Sequence, residues 1–146
     1  MKSIMRRATA KWNGSGLEGS GTLTTASGAL TDRPYSTHAR FGDESGLAGT
    51  NPEELIAAAH AGCFAMALSF ALTGAGFPPT SLEVKATLKA EAPDVHWTIT
   101  QVRLSLRAQV PEITEEKFVE LAEGAKKGCP VSKVLNAEIL LDAKLV

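Results

Sequence analysis

The stretch TNPEELIAAAHAGCFAMALSFALTGAG, Thr50 to Gly76, decides the fold. Its start is built for a helix. Asn51 can cap, Pro52 fits the first helical position, and Glu53 and Glu54 fall in the first turn, where the helix dipole favours negative charge. Gly74 and Gly76 mark the stop. The spacing predicts a helix running to about Thr73, roughly 33 Å long at 1.5 Å per residue. From Leu55 to Leu72 no charged residue interrupts it. Such a run is long enough to raise the question of a membrane span. Against a span, the run is rich in alanine, carries His60 and Ser69, opens on two glutamates, and has no second segment like it in the chain. It reads as a helix buried in protein, at a subunit interface.

The segments around it supply a sheet. SLEVKATLKAE, Ser81 to Glu91, places Leu82, Val84, Ala86 and Leu88 on one face and Glu83, Lys85, Thr87 and Lys89 on the other, the pattern of a half-exposed strand. HWTITQVRLSLRAQV, from His96, is a second strand. Its apolar phase moves from Trp97 and Ile99 to Val102, Leu104 and Leu106, which predicts a bulge near Thr100. TEEKFVELAEGAKKG is an amphipathic helix capped by Thr114 and stopped by Gly128, with Phe118, Leu121, Ala122 and Ala125 on one stripe. CPVSKVL starts a short new helix at Cys129–Pro130, and AEILLDAKLV is a last strand with Ile139, Leu141, Ala143 and Leu145 inward. Upstream, ATAKWNG and GSGTLTTASGAL read as two short strands joined by a turn that Gly14, Gly16 and Gly19 to Gly21 supply. DRPYSTHARFGDESGLAGT reads as a polar, irregular connection whose unusual length suggests function.

Strands and helices do not alternate strictly, so the expected class is α+β with a largely antiparallel sheet. The 146 residues fit a single domain, 1–146. One sheet face and one short helix do not cover a long helix that is apolar all round; a dimer that buries two such helices together does.

Composition narrows the function. With 44% hydrophobic and 21% charged residues the chain is an ordinary soluble globular sequence. A net charge of −1 argues against a nucleic-acid or anionic-membrane partner. MKSIMRRATAKW has charges without an apolar run behind them, so it is not read as a secretory signal, and a cytoplasmic setting is expected. There, two cysteines are thiols or a redox pair rather than a structural staple.

The candidate chemistry starts with those thiols. Cys63 sits about three turns into the long helix, beyond the reach of its dipole, and burial there raises a thiol pKa. His60, at i−3, shares its face and could form a Cys–His nucleophile; the alternative is a core histidine. Cys129 lies at a helix start, where a thiolate is favoured, so local physics makes it the more acidic thiol; the alternative is a simple turn residue. Arg33 and Arg40 are candidate cations in the long connection. Glu53 is placed to hold an arginine. Glu53 and Cys63 are ten residues apart, about 15 Å along one helix, so both can serve one site only if a partner helix brings Glu53. Cys63, His60 and Cys129 make just three possible metal ligands with no carboxylate on the same face, so no metal is expected.

TNPEELIAAAHAGCFAMAL followed by GCPVSKVL resembles the OsmC/Ohr family, the osmotically inducible protein C and organic hydroperoxide resistance proteins. PYSTHARFGDESGLAGTNPEEL and GSGTLTTASGAL resemble its OsmC branch. The resemblance implies an intertwined homodimer, with largely antiparallel sheets wrapped around two long central helices. It implies a thiol peroxidase in which Cys63 is peroxidatic, Cys129 resolving, Arg40 the thiolate's partner and Glu53 the carboxylate that holds Arg40. His60 then has no catalytic role, and the attacking thiol is not the one that local physics makes more acidic. Hydroperoxides, organic ones preferred, would be the substrate, with Ile56, Phe64, Met66 and Phe77 as apolar lining. An external dithiol would be the reductant, and no metal, haem or flavin is implied. The competing expectations are a non-catalytic dimeric stress or binding protein with packing cysteines, and a Cys–His acyl-transfer enzyme.

Overall fold

Short Thr- and Ala-rich runs broken by glycine give the first part of the chain its sheet. In the computed structural model, which describes residues 1–146, Met1–Pro52 and Glu53–Val146 form two separate units. The first is an antiparallel meander of β1 (Ala8–Asn13), β2 (Ser20–Thr25) and β3 (Arg33–Ser36). Trp12, Gly21 and Tyr35 are in register across the three strands, and the two rings meet over the glycine with centroids 5.3 Å apart. A Cβ on Gly21 would lie 1.9 Å from the Lys11 carbonyl oxygen, so no other residue fits there.

The stretch expected to be an irregular connection is partly regular. Arg33–Ser36 pairs with β2, and a single π-helical turn, His38–Gly42, follows. Pro34 hid the strand. It has no N–H to donate and alternation is absent around it, yet an edge strand tolerates it.

α1 (Pro52–Gly74) follows, all but its first residue in the second unit. It ends as expected, in a Schellman turn. Gly76 takes φ 92°, its N–H donates to the Thr73 carbonyl at 3.0 Å, and the Phe77 N–H donates to the Leu72 carbonyl at 2.8 Å. β4 (Ser81–Glu91) and β5 (Thr98–Gln109) form a long antiparallel hairpin. Lys89 faces Gln101 and Ala90 faces Ile99, which leaves Thr100 as the extra residue of the predicted bulge. Its hydroxyl donates to Glu91 Oε1 at 2.7 Å. α2 (Glu115–Gly128) is capped by Thr114, whose hydroxyl oxygen accepts from the Lys117 N–H. After α3 (Pro130–Val134), β6 (Glu138–Leu145) returns parallel to β5, giving the order β4-β5-β6. A parallel partner requires a crossover, and α2 and α3 provide it.

One face of this sheet holds the core. Val102, Leu104, Leu106 and Ala108 of β5 cluster with Phe118, Ala122 and Ala125 of α2 and with Phe64, Leu68 and Leu72 of α1. On α1 the buried residues are His60, Phe64, Leu68 and Leu72, a stripe one residue wide at a spacing of four. The opposite side stays apolar and open: Met66 is 65% and Phe70 75% exposed.

Candidate active site

Cys129 is placed by the collision of two helices. Its N–H donates to the Ala125 carbonyl at 2.9 Å and closes α2. Its backbone then turns extended, at φ −60° and ψ 124°, because Pro130 disfavours a helical residue before it. Pro130 opens α3, and the Lys133 N–H donates back to the Cys129 carbonyl at 3.1 Å. The Cys129 side chain is fully buried at the first turn of α3, near the N–H groups of Val131 and Ser132 and the Ser132 hydroxyl.

Cys63 reaches the same place from α1. It is half-buried, and its thiol lies close enough to Cys129 for each to affect the other's ionisation. The two sulfurs titrate in opposite directions. Burial pushes Cys63 above the ordinary thiol value, and the nearby Cys129 adds to the rise. Burial also works against ionising Cys129. There the donors around it, Cys63 first, then the Ser132 N–H and hydroxyl and the Val131 N–H, prevail, and Cys129 lies below the ordinary value. The lowering of Cys129 comes first from Cys63 and then from the groups of its own helix start.

His60 is fully buried, and its Nε2 lies 2.7 Å from the Ser132 Oγ. Burial lowers its pKa, so the ring is neutral near pH 7. Its Nδ1 is buried without a hydrogen-bond partner. The hydrogen bond that the i−3 spacing offered to Cys63 goes instead to a residue on another helix.

The other expected residues are spread over both units. Arg40 belongs to the π-helical turn of the first unit, its guanidinium 4.6 Å from the centroid of the Phe41 ring. Glu53 lies in the first turn of α1 and is half-buried. Ile56 and Phe77 are half-buried, and Phe77 packs on the core. Phe64 is wholly inside that core, whereas Met66, two residues on and about 200° around the helix, points away from it. Ser132 was not singled out from the sequence. Its one signal is a hydroxyl three residues after a cysteine at a helix start.

A mixed α+β unit that brings one thiol on its central helix against a second at a helix junction defines a two-cysteine thiol protein. The family model for OsmC-like protein matches residues 42–144, and the chain belongs to that family. It is 46% identical over 143 residues to peroxiredoxin OsmC of Escherichia coli (strain K12), covering 98% of each chain. It is 30% identical over 104 residues to organic hydroperoxide resistance protein OhrB of Bacillus subtilis (strain 168), covering 69% of this chain and 74% of that one. The crystal structure of B. subtilis OhrB is similar with a TM-score of 0.74 and 27% identity, covering 97% of this chain and 98% of that one.

Proposed function

We propose that this protein is a thiol-dependent peroxidase that reduces hydroperoxides, organic ones preferred, through a Cys63 sulfenic acid and a Cys63–Cys129 disulfide. The observation that carries the reading is the closeness of the two thiols, which puts them within reach of each other without unfolding the chain. The names of the relatives, a peroxiredoxin and an organic hydroperoxide resistance protein, point the same way.

The chemistry follows from the groups. A Cys63 thiolate attacks the distal peroxide oxygen, the O–O bond breaks, and the alcohol leaves with a proton. The sulfenic acid left on Cys63 is attacked by Cys129, which releases water and forms the disulfide. An external dithiol then restores both thiols by exchange. Because its own unit raises the Cys63 pKa, the first step needs a cation, and Arg40 is the residue proposed to provide it. Glu53 is the carboxylate proposed to orient Arg40. Since Glu53 stands about 15 Å from the cysteine of its own helix, the reading includes a homodimer in which a partner α1 delivers it. The open apolar side of α1, with Met66 and Phe70, is the surface such a dimer would cover. In that assembly sheets from both chains wrap two central helices, the full 146 residues act as one OsmC/Ohr-like domain, and the setting is cytoplasmic. Ile56, Met66 and Phe77 are proposed to face the substrate's organic group, with Phe64 backing Cys63 from the core.

The test is a single turnover. Reduced protein is treated with one equivalent of cumene hydroperoxide, then assayed for intact mass and free thiols. The expected result is a loss of about 2 Da, the two hydrogens of a disulfide, with both thiols gone. Unchanged thiols would leave the non-catalytic stress or binding protein as the better reading.

A further inference from the structure

We propose that Ser132 and His60 are positioning residues for the resolving step: His60 orients the Ser132 hydroxyl, which holds the Cys129 sulfur as a thiolate facing Cys63. The inference deepens the peroxidase reading and rests on it.

The resolving step consumes a thiolate. The Cys129 electron pair forms the S–S bond. The S–O bond of the Cys63 sulfenic acid breaks, and its oxygen leaves as hydroxide and takes up the proton that Cys129 released, giving water. A buried sulfur without a cation from its own unit carries that charge only if donors converge on it. Cys129 is the N-cap residue of α3 and Ser132 stands three residues on, the spacing at which a cap side chain and an N3 side chain meet, so the Ser132 hydroxyl and the N–H groups of that first turn are the donors within the unit, besides Cys63, that can turn to the buried sulfur.

A hydroxyl has one hydrogen and rotates freely. To keep that hydrogen on the sulfur, its oxygen must accept from a fixed donor. His60 Nε2, at 2.7 Å, is the group in place. The tautomer follows from the orphaned Nδ1. With the proton on Nε2, what is left unpaired is an acceptor. With the proton on Nδ1, a buried N–H would be unpaired, the rarer and costlier condition. His60 therefore donates, Ser132 accepts from it, and the serine hydrogen is directed to Cys129. The same contact ties α3 to α1 across 72 residues of sequence. His60 lies one turn from Cys63 on α1, so the helix that carries one thiol also steadies the other.

The experiment separates the two chemical steps. Reduced protein is mixed with cumene hydroperoxide, quenched at intervals with a sulfenic-acid trap, and analysed by mass. In Ser132→Ala, disulfide formation should slow about tenfold more than peroxide consumption does, the size expected for one hydrogen bond to a charged group. Ser132→Thr keeps the hydroxyl and should stay within about twofold of wild type. His60→Gln can present an amide N–H near the Nε2 position and should fall between His60→Leu and wild type. A second readout needs no turnover. In the Cys63→Ser background, the ultraviolet absorbance of the Cys129 thiolate is followed against pH. Two hydroxyls then face Cys129, the one introduced by Cys63→Ser and that of Ser132, with His60 behind Ser132. Ser132→Ala should move the midpoint upward by about one pH unit, a tenfold change in ionisation. Ser132→Ala with an unmoved midpoint, or with both steps slowed equally, would overturn the proposal. Wild-type protein whose Cys63 does not react with peroxide would overturn the peroxidase reading alone, and the titration would still decide the role of Ser132.

Discussion

The two units contrast in how much they hold themselves together. In Met1–Pro52 the buried residues are Gly19, Gly21 and Ala39, and every residue of β1 is exposed. Three strands without a covered face do not make an independently stable structure. In Glu53–Val146 the side chains of Phe64, Phe118, Leu68, Leu72, Leu104 and Val102 are fully buried in one core. The chemistry divides along the same line. Both thiols and the histidine–serine contact lie in the packed unit, and Arg40 lies in the other. The packed unit raises the Cys63 pKa by burial. In the proposed function, activating Cys63 is the task of Arg40. The unit that lacks a core is thus the one whose proposed job is to be brought up to another surface.

The largest expected effects test the packed unit. Cys63→Ser should abolish peroxide turnover, a loss of at least about 10⁴-fold, as for removal of other enzymic nucleophiles. Steady-state assay with an organic hydroperoxide and a dithiol checks it, and residual turnover near wild type would move the peroxidatic role to Cys129. Next in size is the core itself. Phe118→Ala, at a position with no exposure, should lower unfolding free energy by about 3–5 kcal/mol in urea. Trp12→Ala, which removes the ring pairing with Tyr35, should cost about 1 kcal/mol. Equal costs would break the comparison, since they would mean that the first unit has found a cover of its own.

Arg40→Ala probes the division of chemistry. It should slow the reaction of Cys63 with peroxide by about 100-fold, the scale of losing one donor to a developing anion, and change unfolding free energy by less than about 0.5 kcal/mol. Arg40→Lys should recover part of the rate, because the charge returns without the planar fork. Stopped-flow measurement of the peroxide step decides. An unchanged rate would show that the packed unit activates Cys63 unaided.

The sequence read differently in the two units. Where residues face a core, the pattern was legible: the alternation of β4, the Thr100 bulge, the Thr114 cap and the Gly76 stop all follow from local chemistry. The acidic bias of Cys129 was legible in part: the first turn of its own helix contributes, but the larger cause is Cys63 on another helix. β3 was not, since an edge strand with Pro34 carries no alternating signal. Nor was the parallel pairing of β6, which depends on a crossover rather than on any residue in the strand. His60 looked like a partner for Cys63 because spacing along one helix is visible in a sequence. Its actual partner, Ser132, is a tertiary contact 72 residues away, and nothing local announces it.

The smallest expected effect isolates that histidine. Burial depresses the His60 pKa in the folded protein below its ordinary value near 6.5. The unfolded chain therefore takes up a proton first as pH falls, so stability is full above that value and declines below it, until the folded ring protonates as well. Protonation in the folded state would put a charge on a ring with no exposure and a second N–H on an Nδ1 that has no partner. The slope for one such group is at most about 1.4 kcal/mol per pH unit. Urea unfolding at intervals between about pH 5.5 and 7.5, a window above most carboxylate titrations, should show stability falling toward the acid end in wild type. His60→Gln, which cannot take the proton, should flatten the curve. If the slope survives in His60→Gln, the acid sensitivity belongs to groups outside the packed core.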